Sequence, residues 1–341
     1  MTNDIFKLLE GLNTEDSSVK LNDRVVLIDG FNLFMRNFAK INHLNQSGDH
    51  IGGLGGFLNS LGFLIKELQP TCIYIIFDGV GSSVNRKNLV PEYKSGRTRL
   101  KLTKKNIFNT FEEESDSKAN QITRLVHYLK CLPVKVISID RTEADDVIAY
   151  LSDKFSKSFI VSSDNDFFQL VNENISVYRP QEKVLYYPQS VKEKYGVEAA
   201  NYLIYKTLVG DSSDQIKGIQ DLGPKTLFQK FPTIKDEILS LEDILKISEE
   251  NYQKHIIYSR ILFEEQKLRD TYKIMDLKNP LLGDDDKIFI DNVVNEKLNE
   301  LNIEGFLRLY HEDGLLHTIR NVDSWVRNNF NFLNTLGKYD T

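Results

Sequence analysis

Nine acidic side chains recur near the ends of apolar runs, in a pattern that predicts one binding site for divalent cations. Asp29, for example, closes the apolar run Val25–Ile28. Converging carboxylates repel one another and stay partly protonated unless a cation neutralises them. Oxygen-only ligand sets suit Mg²⁺ or Mn²⁺, which indicates metal-assisted phosphoryl transfer. The nine candidate ligands are Asp29, Asp78, Glu143, Asp145, Asp146, Asp164, Asp166, Asp211 and Asp214.

The elements that must position these acids are predicted to be strands of a parallel sheet. Short apolar runs such as Ile73–Phe77 and Phe159–Ser163 are typical of buried strands. They alternate with segments of helical periodicity, such as Ala144–Phe155, so the expected fold class is α/β, a twisted and mostly parallel sheet covered by helices. An acid just past each strand points into the crevice where such sheets bind ligands.

Each acidic motif also has a purely structural explanation. Glu143–Asp146 opens a predicted helix, where acids can cap and complement the dipole, but capping accounts for only one or two of its three acids. The Asp-x-Asp pattern of Ser162–Asp166 is common in turns. Gly210–Asp214 is more specific, since a glycine turn precedes two carboxylates three residues apart.

Composition limits the class of protein. The 341 residues are 41% hydrophobic and 27% charged, as in ordinary globular proteins. No apolar stretch approaches the ~20 residues of a membrane span, and Met1–Phe6 lacks the features of a signal peptide. Cys72 and Cys131 have no metal-ligand spacing and are expected to be reduced. We expect a monomeric cytoplasmic protein without a membrane partner.

The chain divides into four predicted regions. They are an amino-terminal extension (1–22), an α/β core (23–190) with a polar excursion (81–120), a glycine-containing hairpin region (191–235) and a helical remainder (236–341). Net charge is −6, yet the segment from Arg86 to Lys105 carries eight basic residues against one acid, Glu92. Such a run is usually a solvated surface, but its place between two strands that end in acids favours a nucleic-acid contact.

The hairpin Gly218–Leu227 lies between predicted helices at Ala199–Val209 and from Pro224 onward. Its glycines would let backbone N–H groups approach a phosphate, and Lys225 adds positive charge. A plain helix–turn–helix corner is the alternative interpretation.

Taken in order, these motifs resemble those of the 5′-nuclease (flap endonuclease) family. That family includes the 5′→3′ exonuclease domain of bacterial DNA polymerase I and the bacteriophage 5′ exonucleases. The amino-terminal extension and the helical carboxyl-terminal third are most similar to the bacteriophage ribonuclease H branch, which removes RNA primers and 5′ flaps; a phage origin would place the protein in the host cytoplasm. The resemblance rests on Ile28–Arg36, Phe77–Gly79, Pro91–Arg97, Glu143–Asp146, Ser163–Asp166, Gly210–Asp214 and the hairpin.

The resemblance implies a PIN-like fold with two Mg²⁺ or Mn²⁺ ions about 4 Å apart, one activating the attacking hydroxide and one stabilising the departing oxygen. Lys94 and Arg97 match a basic pair at the foot of the family's helical arch, which offsets charge on the scissile phosphate, and Arg36 matches the arginine after the first motif. The inner ion would be held by Asp29, Asp78, Glu143, Asp145 and Asp146, and the outer ion by Asp164, Asp166, Asp211 and Asp214.

The same resemblance makes residues 81–120 an arch that passes single-stranded 5′ ends, with bases stacking on Tyr93 or Phe108. The helix–hairpin–helix at 199–230 would hold the backbone of the duplex without reading bases. The expected DNA-binding residues are Arg86, Lys87, Tyr93, Arg99, Lys101, Lys104, Lys105, Gly218, Gly223, Lys225 and Thr226.

Some features depart from the family pattern or point to partners. Asp221 stands where the family hairpin commonly has glycine, and an acid there would weaken contact with a phosphate. The resemblance also implies a monovalent cation such as K⁺, held by backbone carbonyls of residues 218–223. Ile5–Leu9 is a candidate sliding-clamp peptide. Trp325 and the segment Phe330–Phe332 either dock on the core or contact a replication protein such as a single-stranded-DNA-binding protein.

The function expected is a structure-specific 5′ nuclease acting on flapped or nicked DNA and on RNA–DNA hybrids. A PIN-type single-strand ribonuclease is the main alternative, although the arch, Gly210–Asp214 and the hairpin exceed what that domain carries. A haloacid-dehalogenase-type phosphatase would need a second acid in Asp29–Phe31, which is absent. A degenerate nuclease that only binds branched DNA would be expected to have lost acids.

Overall fold

A six-stranded sheet lies at the centre of the protein. The computed structural model describes residues 20–94, 103, 107–315 and 318–339. The strand order is β3-β2-β1-β4-β5-β6; β1 to β5 are parallel and β6 is antiparallel to β5, so the predicted α/β class is confirmed. The strands are β1 (Val25–Asp29), β2 (Cys72–Asp78), β3 (Lys135–Ile139), β4 (Ser158–Val161), β5 (Ile175–Arg179) and β6 (Val184–Tyr186), and a separate small ribbon pairs β7 (Gly210–Asp211) with β8 (Ile216–Lys217).

Helices cover both faces of the sheet and build the carboxyl-terminal third. Three short 3₁₀ segments, Asp166–Leu170, Ala199–Asn201 and Pro232–Lys235, link them. None of the described helices is long and apolar enough to cross a membrane. The helices are α1 (Gly30–Lys40), α2 (Gly52–Leu68), α3 (Val84–Leu89), α4 (Phe111–Leu129), α5 (Ala144–Ser152), α6 (Pro188–Tyr195), α7 (Tyr202–Val209), α8 (Pro224–Lys230), α9 (Leu241–Asn251), α10 (Ile256–Phe263), α11 (Glu265–Met275), α12 (Asp284–Asn295), α13 (Ile303–Glu312) and α14 (Val322–Tyr339).

The central strands are apolar throughout because both of their faces are covered. Every residue of β1 is buried, and β2 is buried as far as Phe77. Continuous apolar runs of this kind, rather than alternating ones, are expected in parallel sheets. The register sets Asp29 beside Ile76 and Asp78 beside Ile139, so both acids stand at the same edge of the sheet.

The glycine-rich segment 52–56 forms the first turn and a half of α2. A Cβ on Gly52 would lie 1.8 Å from the carbonyl oxygen of Ile41, and one on Gly53 would meet the Phe34 ring at 2.7 Å. The glycines therefore let α2 pack closely against α1, not against the sheet or a substrate.

The polar excursion was longer in the prediction than in the structure. Helix α4 begins at Phe111, inside the predicted excursion of residues 81–120. Thr110 and Glu113 form a capping box at its start. Its polar amino-terminal half hides the helical periodicity in the sequence. Strand β6 was also missed, because it is only three residues long and its first residue is exposed.

The carboxyl-terminal third shares three hydrophobic cores with the rest of the chain. Phe306 and Phe330 are buried in the core between α2 and α4, and Trp325 packs directly on Gly62. Ile290 belongs to the core on the opposite face of the sheet, and Ile257 to the core beneath the hairpin. The expectation that Trp325 and Phe330 dock on the core is confirmed.

Candidate active site

Four of the nine acids line one cavity of about 800 Å³ at the carboxyl edge of the sheet. Asp29 and Asp78 end β1 and β2, Asp145 lies in the first turn of α5, and Asp164 follows β4. Lys94 and Arg36 line the same cavity, as the sequence predicted for residues that face a phosphate. We call these four carboxylates the inner group.

Hydrogen bonds fix the orientation of the inner carboxylates. Asp29 accepts from the backbone N–H of Asn32 at 3.0 Å and from the Ser162 hydroxyl at 2.9 Å. Asp78 accepts from the backbone N–H of Ala144 at 2.8 Å. Because the first turn of a helix leaves N–H groups unpaired, each carboxylate caps the helix beside it. Sequence reasoning gave Asn32 and Ser162 no role, although both flank an acidic motif.

Burial and nearby negative charges raise the pKa values of three of the inner carboxylates. Burial, followed by the charges of Asp78 and Asp164, raises the pKa of Asp29 to about 7. The pKa of Asp145 is raised well above its usual value by burial and by Asp164 and Asp29. The pKa of Asp78 is raised too, chiefly by burial. A divalent cation among these oxygens would remove both the repulsion and the need for protons, so the donor set fits Mg²⁺ or Mn²⁺.

A second cluster, which we call the outer trio, consists of Asp166, Asp211 and Asp214. One carboxylate oxygen from each lies within 4.8 Å of the others. Lys206, on α7, donates to both Asp166 and Asp211. Burial alone would raise the pKa of Asp211, but the Lys206 ammonium outweighs it and lowers that pKa.

Sequence reasoning missed Lys206. Its signal was a lone lysine in the apolar run Tyr202–Val209, since a lysine enclosed in a core almost always has an acidic partner. Lys206 contacts two of the three carboxylates of the outer trio. The trio still has the spacing and the all-oxygen chemistry of a cation site.

The structure places Asp164 differently from the predicted division of acids between two ions. Asp164 was assigned with the outer carboxylates, but it lines the inner cavity and acts electrostatically on Asp29 and Asp145. The two acids of the Asp-x-Asp motif belong to different clusters: Asp164 lies in the loop after β4 and lines the inner cavity, whereas Asp166 begins a 3₁₀ turn and joins the outer trio.

Asp146 and Arg86 form a buried ion pair instead of acting as metal ligand and DNA contact. Arg86 donates from both terminal nitrogens to Asp146, at 2.6 and 2.9 Å, and the backbone N–H of Leu281 donates to the same carboxylate at 2.9 Å. Arg86 also donates to the carbonyl of Ile274 at 2.8 Å. Both predictions were wrong because these two residues are only 1% and 4% exposed and their charged groups are already held by buried partners.

Glu143 lies behind the cavity, among basic and hydroxyl groups from the foot of the excursion. The Tyr93 hydroxyl donates to it at 3.0 Å, Lys94 Nζ lies 3.2 Å away and Arg86 Nη1 3.0 Å away. Tyr93 is 3% exposed and Phe108 stacks on Phe38 inside the core, so neither ring can stack on a base as expected. Glu143 thus ties residues 86–94 to α5, and its role as a ligand of the inner ion stays a prediction.

Several predicted DNA contacts lie outside the described residues. Of the remaining basic candidates, Lys87 and Lys225 are exposed on α3 and α8. The predicted sliding-clamp peptide Ile5–Leu9 also lies outside. Five further basic candidates lie outside the described residues: Arg97, Arg99, Lys101, Lys104 and Lys105.

The hairpin has two kinds of glycine. A Cβ on Gly218 would lie 2.2 Å from the Val209 carbonyl carbon. Glycine is therefore needed here because the two backbones pass too close together, beside β7 and β8, for any side chain. Gly223 faces open space, and Thr226 beside it is half-buried. A cleft of about 1310 Å³ opens between residues 89–92, the small β7–β8 ribbon and α11, with Asp211 in its wall.

Comparison with solved structures defines the class of fold. Zinc-bound 5′-exonuclease of bacteriophage T5 superimposes with a TM-score of 0.62 at 18% identity, over 80% of this chain and 98% of that one. Human GEN1, solved in complex with Holliday junction DNA, gives 0.56 at 15% identity over 98% of this chain and 77% of that one. The sheet and the helices that cover it have the 5′-nuclease fold.

Sequence comparison then gives the family. The family model described as "5'-3' exonuclease, N-terminal resolvase-like domain" matches residues 24–196. A 5′-3′ exonuclease of Aquifex aeolicus is 32% identical over 293 residues, which is 83% of this chain and 93% of that protein. The chain belongs to the 5′-3′ exonuclease family, and the protein is a nuclease.

Proposed function

We propose that the protein is a structure-specific 5′ nuclease that cuts phosphodiesters of flapped or nicked DNA and of RNA–DNA hybrids, using two Mg²⁺ or Mn²⁺ ions. The observation that carries this proposal is the inner group. Four carboxylates share one open cavity with Lys94 and Arg36, and burial together with the charge of neighbouring carboxylates raises the pKa values of three of them, Asp29, Asp78 and Asp145. Such a site needs a cation and offers a place for a phosphate beside it.

Each acidic cluster would hold one ion, the inner group Asp29, Asp78, Asp145 and Asp164, and the outer trio the other. When bound, the ions supply Lewis-acid stabilisation of the attacking and departing oxygens of an in-line displacement. The chain's own residues position the phosphate. Lys94 and Arg36, with Arg97 as expected from the family motif, would balance charge that develops on its oxygens.

The substrate class follows from the surfaces around the site. Residues 89–92 and the β7–β8 ribbon, which leads into the hairpin, border the 1310 Å³ cleft, and Asp211 of the outer trio lies in its wall. A duplex bound along the hairpin would bring the phosphodiester at a flap base or nick to the carboxylates. Removal of RNA primers is the role implied by the bacteriophage ribonuclease H resemblance. Contacts with a sliding clamp and a single-stranded-DNA-binding protein remain predictions.

The test is the length of the product from a 5′-labelled flap duplex, compared with a flapless nicked duplex and an RNA-primed duplex. Each substrate is incubated with Mg²⁺, with Mn²⁺ and with EDTA. We expect a cut near the flap base and removal of 5′ nucleotides from the nick, both abolished by EDTA. Degradation of single-stranded RNA without cleavage of any branched duplex would instead support the PIN-type ribonuclease alternative.

A further inference from the structure

The tip of the hairpin carries a negative charge where a DNA backbone is expected to approach. Asp221 adopts φ +64°, a left-handed conformation that favours glycine but that aspartate tolerates better than most residues. Its side chain is 68% exposed. An uncompensated carboxylate at this point would repel phosphates and weaken binding of a duplex.

Arg260 compensates this charge from a different part of the chain. It lies on α10, in the carboxyl-terminal third to which the sequence gave no function. Its Nη1 donates to the Asp221 carboxylate at 2.6 Å and to the backbone carbonyl of Gln220 at 2.8 Å. Across the described residues, neither Nε nor Nη2 of Arg260 makes a hydrogen bond to protein, and its side chain is 27% exposed. The guanidinium thus keeps donors that face solvent.

The arrangement does not suit a bound K⁺ at this point of the hairpin. The Gln220 carbonyl already accepts from Arg260, and the Ile219 carbonyl accepts from the backbone N–H of Leu222 at 3.0 Å. The family expectation of a monovalent ion at residues 218–223 therefore does not fit the tip of this hairpin.

We propose that Arg260 is the built-in cation of the hairpin, which neutralises Asp221 and donates to a phosphate of duplex DNA. This inference rests on the proposed function and extends it to a residue outside the recognised motifs. Lys217 and Lys225 are also exposed on this stretch of chain, so once Arg260 neutralises Asp221 the charges left uncompensated among these four residues are positive. An exposed ion pair contributes little to stability by itself, so a purely structural purpose explains the contact less well.

The experiment measures binding of a fluorescent 5′-flap duplex in EDTA, across a series of salt concentrations, in NaCl and in KCl. The variants are Arg260→Gln, Asp221→Gly and the double variant. Arg327→Gln is the matched control, because Arg327 also forms an exposed ion pair with an aspartate, Asp323 on α14. Thermal unfolding of each variant checks that the fold is intact.

We expect Arg260→Gln to weaken binding about tenfold and to reduce the slope of log K against log salt by about one, as loss of one phosphate contact does. The double variant should recover part of the affinity, because the repelling acid is gone, but not the slope. Wild-type binding should be equal in NaCl and KCl, and Arg327→Gln should bind like the wild type.

Two results would overturn the assignment while leaving the proposed function intact. One is unchanged affinity and slope in Arg260→Gln, as in the Arg327→Gln control. The other is wild-type binding that requires K⁺, which would show that a mobile cation is needed. Wild-type protein that binds no flapped duplex under any of these conditions would overturn both the assignment and the proposed function.

Discussion

At the scale of single residues, the ion pair of Arg86 with Asp146 joins α3, at the start of the excursion, to α5. Their side chains are 5% and 2% exposed. Removal of one member of a buried pair leaves the other charge uncompensated, which costs about 3–5 kcal/mol. We expect Arg86→Gln to lower the free energy of unfolding by about this amount in denaturant titrations.

The neighbouring lysine provides the control for this prediction. Lys87→Gln removes the same charge from an exposed position of α3 and should leave the free energy of unfolding nearly unchanged. The double variant Arg86→Gln/Asp146→Asn should lose less than the sum of the two single losses, because the pair acts as a unit. Additive losses would show that Arg86 and Asp146 are not coupled as the structure indicates.

The sequence located the acids but could not assign every partner. Asp29, Asp78 and Asp164 were predictable because each follows an apolar run that had to be a buried strand. Asp145 and Asp146 are adjacent on one helical turn, and only their surroundings distinguish them. The partner of Asp146 lies 60 residues away, and the partner of Asp221 lies 39 residues away. Neither separation leaves a local sequence pattern.

At the scale of elements, the close packing of α1 and α2 supports the site, because Asp29 caps α1 and Arg36 lies on it. The atom that a Cβ on Gly52 would meet is a backbone oxygen, which cannot rotate away. We therefore expect Gly52→Ala to push α2 from α1 and to destabilise the protein by about 1–3 kcal/mol. Chemical denaturation measures this change.

Gly223→Ala is the matched substitution for stability. A Cβ at that glycine would meet no atom within 4 Å, and its φ of −82° suits alanine. It should leave stability unchanged or raise it slightly. Equal destabilisation by both substitutions would argue against packing of α2 on α1 as the reason for glycine at position 52.

Strand and helix type were predictable where periodicity was strong, and boundaries were not. The central strands are continuous apolar runs, so their positions along the chain and the acids at their ends could be predicted from the sequence. The start of α4 was hidden by Glu112, Glu113 and Glu114, which are favourable near a helix amino terminus but read as a polar loop. The shared cores of the carboxyl-terminal helices depend on contacts between distant segments, which no local pattern encodes.

At the scale of the whole molecule, the crowded inner carboxylates link stability to pH. The folded protein holds protons on Asp29, with its pKa of about 7, where the unfolded chain has released them above about pH 4. Stability of the metal-free protein is therefore present at low pH and is lost as pH rises through about 7. We expect the melting temperature in EDTA to fall over this range.

Divalent ions should reverse this loss, because they replace protons as the neutralising charge. Mg²⁺ should raise the melting temperature more at about pH 8 than at about pH 5. Asp29→Asn should flatten the pH dependence in EDTA, whereas Asp153→Asn, at an exposed position, should not. A melting temperature in EDTA that rises between pH 5 and about 8 would contradict the predicted crowding.

The most direct test of the account is single-turnover cleavage of a 5′-flap duplex by Asp78→Asn in Mg²⁺, with binding of the same duplex measured in parallel. Asp140→Asn is the control, since Asp140 follows β3 as Asp78 ends β2 but is exposed outside the cavity. We predict that Asp78→Asn cleaves more slowly by at least about 100-fold while binding persists, and that Asp140→Asn cleaves normally. Cleavage by Asp78→Asn at the wild-type rate would contradict the central claim that the inner carboxylates carry the reaction.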